Sequence, residues 1–231
     1  MKKIVVLSGA GVSAESGIKT FRDSDGLWEN YPVEEVASID GWYKNKELVL
    51  NFYNARRHEI ERAVPNEGHK IIADLEQDFD VSVVTQNIDN LHERAGSTKV
   101  IHLHGEIIKA RSENDPDKII EIGYHDIKLG DKATDGSQLR PFIVWFGEAV
   151  PKLNDAAREV QTAEILIVIG TSLVVYPAAG LVNYTKPGCK IYIIDPKPVN
   201  AYGVAAFHIL EKGSEGMKIL KEKLLKEIAS K

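Results

Sequence analysis

The sequence holds a single cysteine, Cys189, among 231 residues. One thiol closes no internal disulfide and builds no four-thiolate zinc site, so a disulfide scaffold is excluded and nothing points to an oxidising compartment. Long apolar runs are also missing. None approaches the roughly 20 residues of a membrane-spanning helix, so no membrane partner is expected. Met1-Lys2-Lys3 followed by Ile4–Leu7 opens like a secretory signal, then breaks at Ser8-Gly9. That is short of the roughly 7–15 apolar residues of a signal core, so the stretch reads as a strand and the chain as cytoplasmic. There is no excess of positive charge. Lys and Arg total 29 against 34 Asp and Glu, a net of −5, which disfavours direct nucleic-acid binding. Repeats and low-complexity tracts are absent, and nothing in the sequence sets an oligomeric state.

What is present is ordinary for a globular domain: 43% apolar and 27% charged residues. A chain of this length buries roughly 70% of its unfolded surface. Short apolar runs recur at Ile4–Leu7, Val81–Thr85, Val100–Leu103, Phe142–Trp145, Ile165–Ile169 and Ile191–Ile194. Ile165–Ile169 is apolar throughout, as in a strand covered on both faces. Helical spacing runs through Glu67–Gln77, Asn154–Thr162 and Glu215–Ile228. The alternation predicts an α/β fold: a Rossmann-like, mostly parallel open sheet with helices on both faces. Two stretches interrupt it. Residues 24–64 show no clear strand, with Glu47–Ala63 as their best helix, and residues 109–139 are polar with no clear element. Both read as insertions forming a smaller lobe, leaving approximately 1–23, 65–108 and 140–231 as the core of one domain.

The first strand runs into Ser8-Gly9-Ala10-Gly11-Val12-Ser13. Glycine permits positive φ and close approach of backbone to phosphate, and a helix N-terminus beyond it favours anions. A tight strand-to-helix turn without ligand has the same pattern, but the position after the first strand favours a nucleotide. A dehydrogenase places a second strand and an acidic residue about 20 positions on. Glu34 and Glu35 stand near there with no strand before them.

Gly9-Ala10-Gly11-Val12-Ser13 with Gly17-Ile18-Lys19-Thr20-Phe21-Arg22 resembles the opening signature of the sirtuins, the NAD-dependent protein deacylases. Further blocks follow in family order: Thr85-Gln86-Asn87-Ile88-Asp89, Leu103-His104-Gly105, Val144-Trp145-Phe146-Gly147-Glu148, Gly170-Thr171-Ser172 and Val175-Tyr176-Pro177. The resemblance implies cleavage of the nicotinamide–ribose bond of NAD, transfer of an acyl group from lysine, and release of nicotinamide and O-acyl-ADP-ribose. Acylated lysines of proteins are the implied partners.

It also implies residue roles. His104 matches the catalytic base, and an imidazole with an ordinary pKa near 6.5 takes a hydroxyl proton at neutral pH. His102 shares its face on a strand, and either histidine reads equally as a core residue held by a backbone partner. Gln86, Asn87, Ile88 and Asp89 follow a strand end, where open α/β sheets bind ligands. Asn87, also a catalytic residue, and Gln86 would border the ribose, and Asp89 would hold the nicotinamide amide. The same residues suit the N-cap of a helix starting near Asn87. Gly9, Ala10, Gly11 and Ser13 would cradle the cofactor. Phe21 and Arg22 would shield the ribose carbon from water. Gly170, Thr171 and Ser172 would bind phosphate and ribose. Asp195 stands where the family usually has Asn, and Gly213 would offer a backbone contact to adenine.

One departure and one finer motif stand out. Most sirtuins carry two Cys-x-x-Cys pairs between His104-Gly105 and Arg140-Pro141 that hold a structural zinc. This sequence has none there, so no zinc is expected. In the predicted helix, Tyr53 and Arg56 lie three apart on one face. They resemble the Tyr-x-x-Arg of the sirtuin branch that removes succinyl and malonyl groups, where phenol and guanidinium read the acid end. The plain reading is a solvated face among Arg57, His58, Glu59, Glu61 and Arg62. Set against the deacylase are a non-catalytic NAD or ADP-ribose binding module, a protein mono-ADP-ribosyltransferase and a hydride-transferring dehydrogenase.

Overall fold

The computed structural model describes residues 1–19, 27–28, 31–201 and 203–229. In chain order the strands are β1 (Lys3–Ser8), β2 (Leu27–Trp28), β3 (Tyr31–Pro32), β4 (Asp80–Thr85), β5 (Val100–His102), β6 (Gly105–Ser112), β7 (Ile119–Glu121), β8 (Leu139–Ile143), β9 (Ile165–Ile169), β10 (Lys190–Ile194) and β11 (Phe207–Ile209). The helices are α1 (Val33–Val36), α2 (Ile39–Lys44), α3 (Lys46–Arg62), α4 (Glu67–Asp74), α5 (Leu91–Ala95), α6 (Leu153–Thr162) and α7 (Gly213–Ala229). Segments Ala10–Ser16 and Ala178–Tyr184 are 3₁₀ helices. Among the described residues no helix is long and apolar enough to cross a membrane.

Six strands form one parallel sheet in the order β11-β10-β9-β1-β4-β5. This is the doubly wound order, and its direction reverses between β1 and β9, where such sheets open a crevice for ligands. Side chains alternate across the strands. Val5, Leu7, Val84, Leu166, Val168 and Ile193 pack on one face with Ala156 and Val160 of α6. Ile4, Val6, Val83, Ile167 and Ile194 pack on the other with Ile72 of α4 and Met217, Leu220 and Leu224 of α7. Every residue of β9 is buried because both faces are covered, the reason its sequence is apolar throughout.

A smaller lobe joins α1, α2 and α3 to an antiparallel sheet, β7-β6-β8. Trp42, Leu50, Tyr53, Ile60, Ile107, Ile143 and Trp145 form its core. Helix α3 starts where the Asn45 side chain accepts the N–H of Leu48, and its apolar stripe runs through Val49, Leu50, Phe52, Tyr53 and Ile60.

Three expectations are corrected here. Residues 109–139 are not free of regular structure: β6 enters from Gly105 and β7 lies within them, so the lobe runs from Gly105 to Ile143. The period-2 signal was broken because the pairing of β6 with β8 shifts register between Gly105 and Ala110, and because β7 is exposed at every position. The run Phe142–Trp145 is not a strand of the parallel sheet. It overlaps β8, which pairs with β6 in the lobe. Residues 24–64 do hold a strand pair, the two-residue ladder of β2 and β3.

The lobe is tied by buried hydrogen bonds. Arg57, fully buried, donates Nε–H to Ile107 O (2.9 Å) and Nη1–H to Asn54 Oδ1 (2.6 Å). Asn54 brackets Ile127, donating to its carbonyl (2.9 Å) and accepting its N–H (3.0 Å). Burial brings the Arg57 pKa down to about 10, which leaves it charged at neutral pH. Between Gly105 and Arg140, Ser112 Oγ donates to Asp135 Oδ2 (2.6 Å), lies 2.7 Å from Ser137 Oγ, and accepts the N–H groups of Asn114 (3.1 Å) and Asp115 (3.0 Å). These hard oxygens do not fit a structural zinc. Among the described residues no group of three or more His, Cys, Asp or Glu has metal-holding geometry.

Candidate active site

The carboxyl ends of β1, β4, β9 and β10 open onto one cleft of about 620 Å³ beside the lobe. At its floor the glycine loop crosses the end of β9. Gly9 N–H donates to Ile169 O (3.0 Å) and Gly11 N–H to Gly170 O (2.8 Å). Gly170 has φ +63°, and a Cβ there would lie 2.2 Å from Val12 N. Only glycine lets the two chain segments approach this closely. The strand end of β4 is registered on β1 by Gln86 N–H donating to Ser8 O (2.9 Å).

Every described residue assigned to the site from sequence borders this cleft: Gly9, Ala10, Gly11, Ser13, Tyr53, Arg56, Gln86, Asn87, Ile88, Asp89, His104, Gly170, Thr171, Ser172, Asp195 and Gly213. Phe21 and Arg22 lie outside the described residues. Two local expectations change. The segment after the glycine loop is 3₁₀ rather than α. The helix beyond β4 starts at Leu91, and Asp89 Oδ1 accepts the Leu91 N–H (3.1 Å), so Asp89 caps that turn while Asn87 does not. Of the two readings of Tyr53 and Arg56, burial of both side chains goes against the solvated face.

His104 follows β5, and its Nδ1 lies 3.0 Å from Gln86 O. A carbonyl only accepts, so Nδ1 carries the proton and Nε2 keeps its lone pair in the neutral ring. Burial lowers the His104 pKa, the carbonyl partly opposing, which favours that neutral form. His102 differs. Its Nδ1 faces Asn87 O (2.9 Å) and its Nε2 faces Glu93 Oε1 (2.7 Å). Burial, the largest single influence, opposes its charge, yet Glu93, the Asn87 carbonyl and Glu106 together raise the pKa. Two histidines two residues apart therefore hold successive carbonyls with their pKa values shifted in opposite directions.

Behind the glycine loop a directed chain of hydrogen bonds leads to Asp89. Asn66 N–H donates to His69 Nδ1 (3.3 Å), so His69 Nε2 carries the proton, 3.4 Å from Ser13 Oγ. Ser13 Oγ donates to Asp89 Oδ2 (3.0 Å) and accepts from Asn87 Nδ2 (3.2 Å). Burial raises the Asp89 pKa against its hydrogen bonds. It brings His69 down to about 4. His69 carried no sequence assignment. Its signal was a polar residue on the buried face of α4 beside Ile71 and Ile72. Trp145, also without an assigned role, borders the cleft and donates Nε1–H to Tyr53 Oη (2.9 Å). Gln86 Nε2 donates to Thr171 Oγ1 (3.2 Å), joining the two strand ends.

This donor set suits a dinucleotide: bare glycine backbone for phosphates, amide and carboxylate groups at Asn87 and Asp89 for a polar ring substituent, and a buried Asp195 carboxylate for ribose hydroxyls. Comparison with known proteins agrees. A profile of the Sir2 family matches residues 9–177. A protein of Bacteroides thetaiotaomicron named NAD-dependent protein deacylase is 54% identical, covering 97% of this chain and 99% of its own. One of the same name from Helicobacter pylori is 56% identical over 87% of this chain and 88% of its own. A solved Sir2 homologue mutant–ADP-ribose complex superposes with TM-score 0.90 at 40% identity, covering 100% of this chain and 94% of that one. A Sir2 homologue–NAD complex gives TM-score 0.88 at 41% identity, covering 98% and 90%. On fold, site and sequence together, this chain belongs to the Sir2 family, the sirtuins.

Proposed function

We propose that this protein removes succinyl and malonyl as well as acetyl groups from lysine side chains of proteins, with NAD as the second substrate. The enzyme class is that of its relatives, an NAD-dependent protein deacylase. The observation that carries the acyl reading is the placement of Tyr53 and Arg56 on the cleft that also holds His104. NAD, when bound, supplies the ribose carbon and hydroxyl to which the acyl group is passed. In this reading Gly9, Ala10, Gly11 and Ser13 with Gly170, Thr171 and Ser172 hold its phosphates and a ribose. Asp195 and Gly213 take the adenosine end, and Gln86, Asn87, Ile88 and Asp89 orient the nicotinamide end. Phe21 and Arg22, outside the described residues, keep their proposed shielding role.

His104 is the base. Its Nδ1–H is committed to Gln86 O, so Nε2 is the atom that receives the hydroxyl proton, and the resulting imidazolium stays bonded to that carbonyl. Asn87 orients the ribose beside it. Tyr53 keeps its proton because burial raises its pKa, with the Trp145 hydrogen bond opposing. It therefore donates a hydrogen bond, and Arg56 adds a cation, a pair that suits a carboxylate. A single cysteine suits a reducing compartment, and we place the enzyme in the cytoplasm.

Mass spectrometry of matched acetyl-lysine and succinyl-lysine peptides, with and without NAD, tests this. NAD-dependent loss of both groups, with the succinyl-to-acetyl rate ratio falling in Arg56→Met, is the expected result. Equal losses in that variant make Arg56 structural and end the acyl reading. Loss of neither group with NAD still bound favours the binding module.

A further inference from the structure

Trp145 follows β8 and is held on three sides. Its indole lies over the Arg140 guanidinium, with Cζ 3.5 Å from the ring centroid. Arg140 is clamped by Glu148 through Nη1–H to Oε1 (2.7 Å) and Nη2–H to Oε2 (2.9 Å), and by Ile143 O (2.9 Å). Glu148 Oε2 also accepts the backbone N–H of Trp145 (2.9 Å). Trp42 packs on the indole with centroids 5.4 Å apart. A cation stacked on the ring and a carboxylate on the backbone leave it one position.

From that position Nε1–H points at Tyr53 Oη, 2.9 Å away, both groups buried. An indole nitrogen can only donate, so the phenol oxygen accepts and the phenol's own proton must be directed elsewhere. A carboxylate can only accept. A phenol that offered it a lone pair would repel it, and one that offers its proton binds it.

We propose that Trp145 is a positioning residue for acyl-group choice. Its N–H occupies a lone pair of Tyr53 and so aims the phenolic proton at the carboxylate end of a dicarboxylic acyl chain. Acetyl groups, which have no such end, gain nothing from it. This inference rests on the reading that Tyr53 and Arg56 meet that carboxylate.

The test is a double-mutant cycle of Trp145→Phe and Tyr53→Phe on succinyl- and acetyl-lysine peptides, with Arg56→Met as reference. Phenylalanine keeps a ring over Arg140 and removes the donor together with part of the ring volume, and the Tyr53→Phe background separates the two effects. Trp145→Phe should lower the succinyl-to-acetyl ratio of kcat/KM by about tenfold, chiefly through the succinyl KM. In the Tyr53→Phe background the same change should leave that ratio where Tyr53→Phe put it. A ratio unmoved by Trp145→Phe, or an effect that persists without the phenol, overturns the inference while Arg56→Met still lowers the ratio. If Arg56→Met leaves the ratio alone, the underlying reading has failed. Should Trp145→Phe not fold, the indole N–H resonance that moves in Tyr53→Phe is followed in the unmodified protein. A larger shift with succinyl- than with acetyl-lysine peptide supports the proposal, and equal shifts overturn it.

Discussion

Gly11 and Gly170 meet backbone to backbone: the Gly11 N–H donates to Gly170 O at 2.8 Å, and a Cβ on Gly11 would stand 2.7 Å from the Gly170 Cα. The contact lies where the strand order reverses, so the loop from β1 and the turn after β9 share one floor for the cofactor.

Gly170→Ala tests that floor. Positive φ alone costs alanine about 1 kcal/mol, and the clash with Val12 N adds to it. Calorimetry should show a Tm lower by several degrees, and titration should show weakened NAD binding. An unchanged Tm with unchanged NAD affinity would refute the crossing as a constraint.

His104→Ala should keep NAD binding and lower turnover by about 10²–10⁴-fold. The pH profile carries a sign. Because burial lowers the folded pKa of His104, the neutral base persists below the ordinary value of about 6.5 and activity falls only as pH drops through the lowered value. An acid limb centred above about 6.5 would remove His104 from the role.

Stability should also fall in mild acid. His69 and His92 are both fully buried, with rings 4.9 Å apart. The His69 pKa is about 4 against an ordinary 6.5, and that of His92 lies well below its ordinary value, with burial the chief cause in each. The unfolded chain takes up these protons first, so stability that is full above about 6.5 is lost as pH falls toward 4, by roughly 3 kcal/mol from His69 alone. Denaturant midpoints measured across that range would show it. A flat profile between pH 7 and 5 would contradict the buried neutral pair.

The lobe makes the fourth test. Ser112→Ala removes the acceptor of the Asn114 and Asp115 N–H groups and the donor to Asp135, so its Tm should lie below that of the unmodified protein. A chelator should leave the Tm of the unmodified protein unchanged. A fall on chelation would reveal a metal that these residues do not suit.

Much of this architecture is legible in the sequence. Strand runs such as Ile4–Leu7 and Ile165–Ile169 declare themselves because burial on both faces demands unbroken apolar side chains. The glycine loop, His104 and the Gln86–Asp89 segment sit at strand ends, where spacing in the chain already implies nearness in space. The lobe sheet was hidden for the opposite reasons. β6 is interrupted by a register shift, and β7 has no buried face to mark it.

From sequence alone came the α/β alternation, the family resemblance and the identity of the residues that border the cleft, since these depend on local pattern and on motifs read along the chain. Direction was decided only by the tertiary structure. Which nitrogen of His104 holds the proton depends on Gln86 O, which way the Tyr53 hydroxyl turns depends on Trp145, and where the Ser112 hydroxyl proton goes depends on Asp135. Those partners lie 18, 92 and 23 residues away in the chain. Hydrogen-bond polarity is set by whichever group folding brings within 3 Å, and no pattern along the chain encodes that meeting.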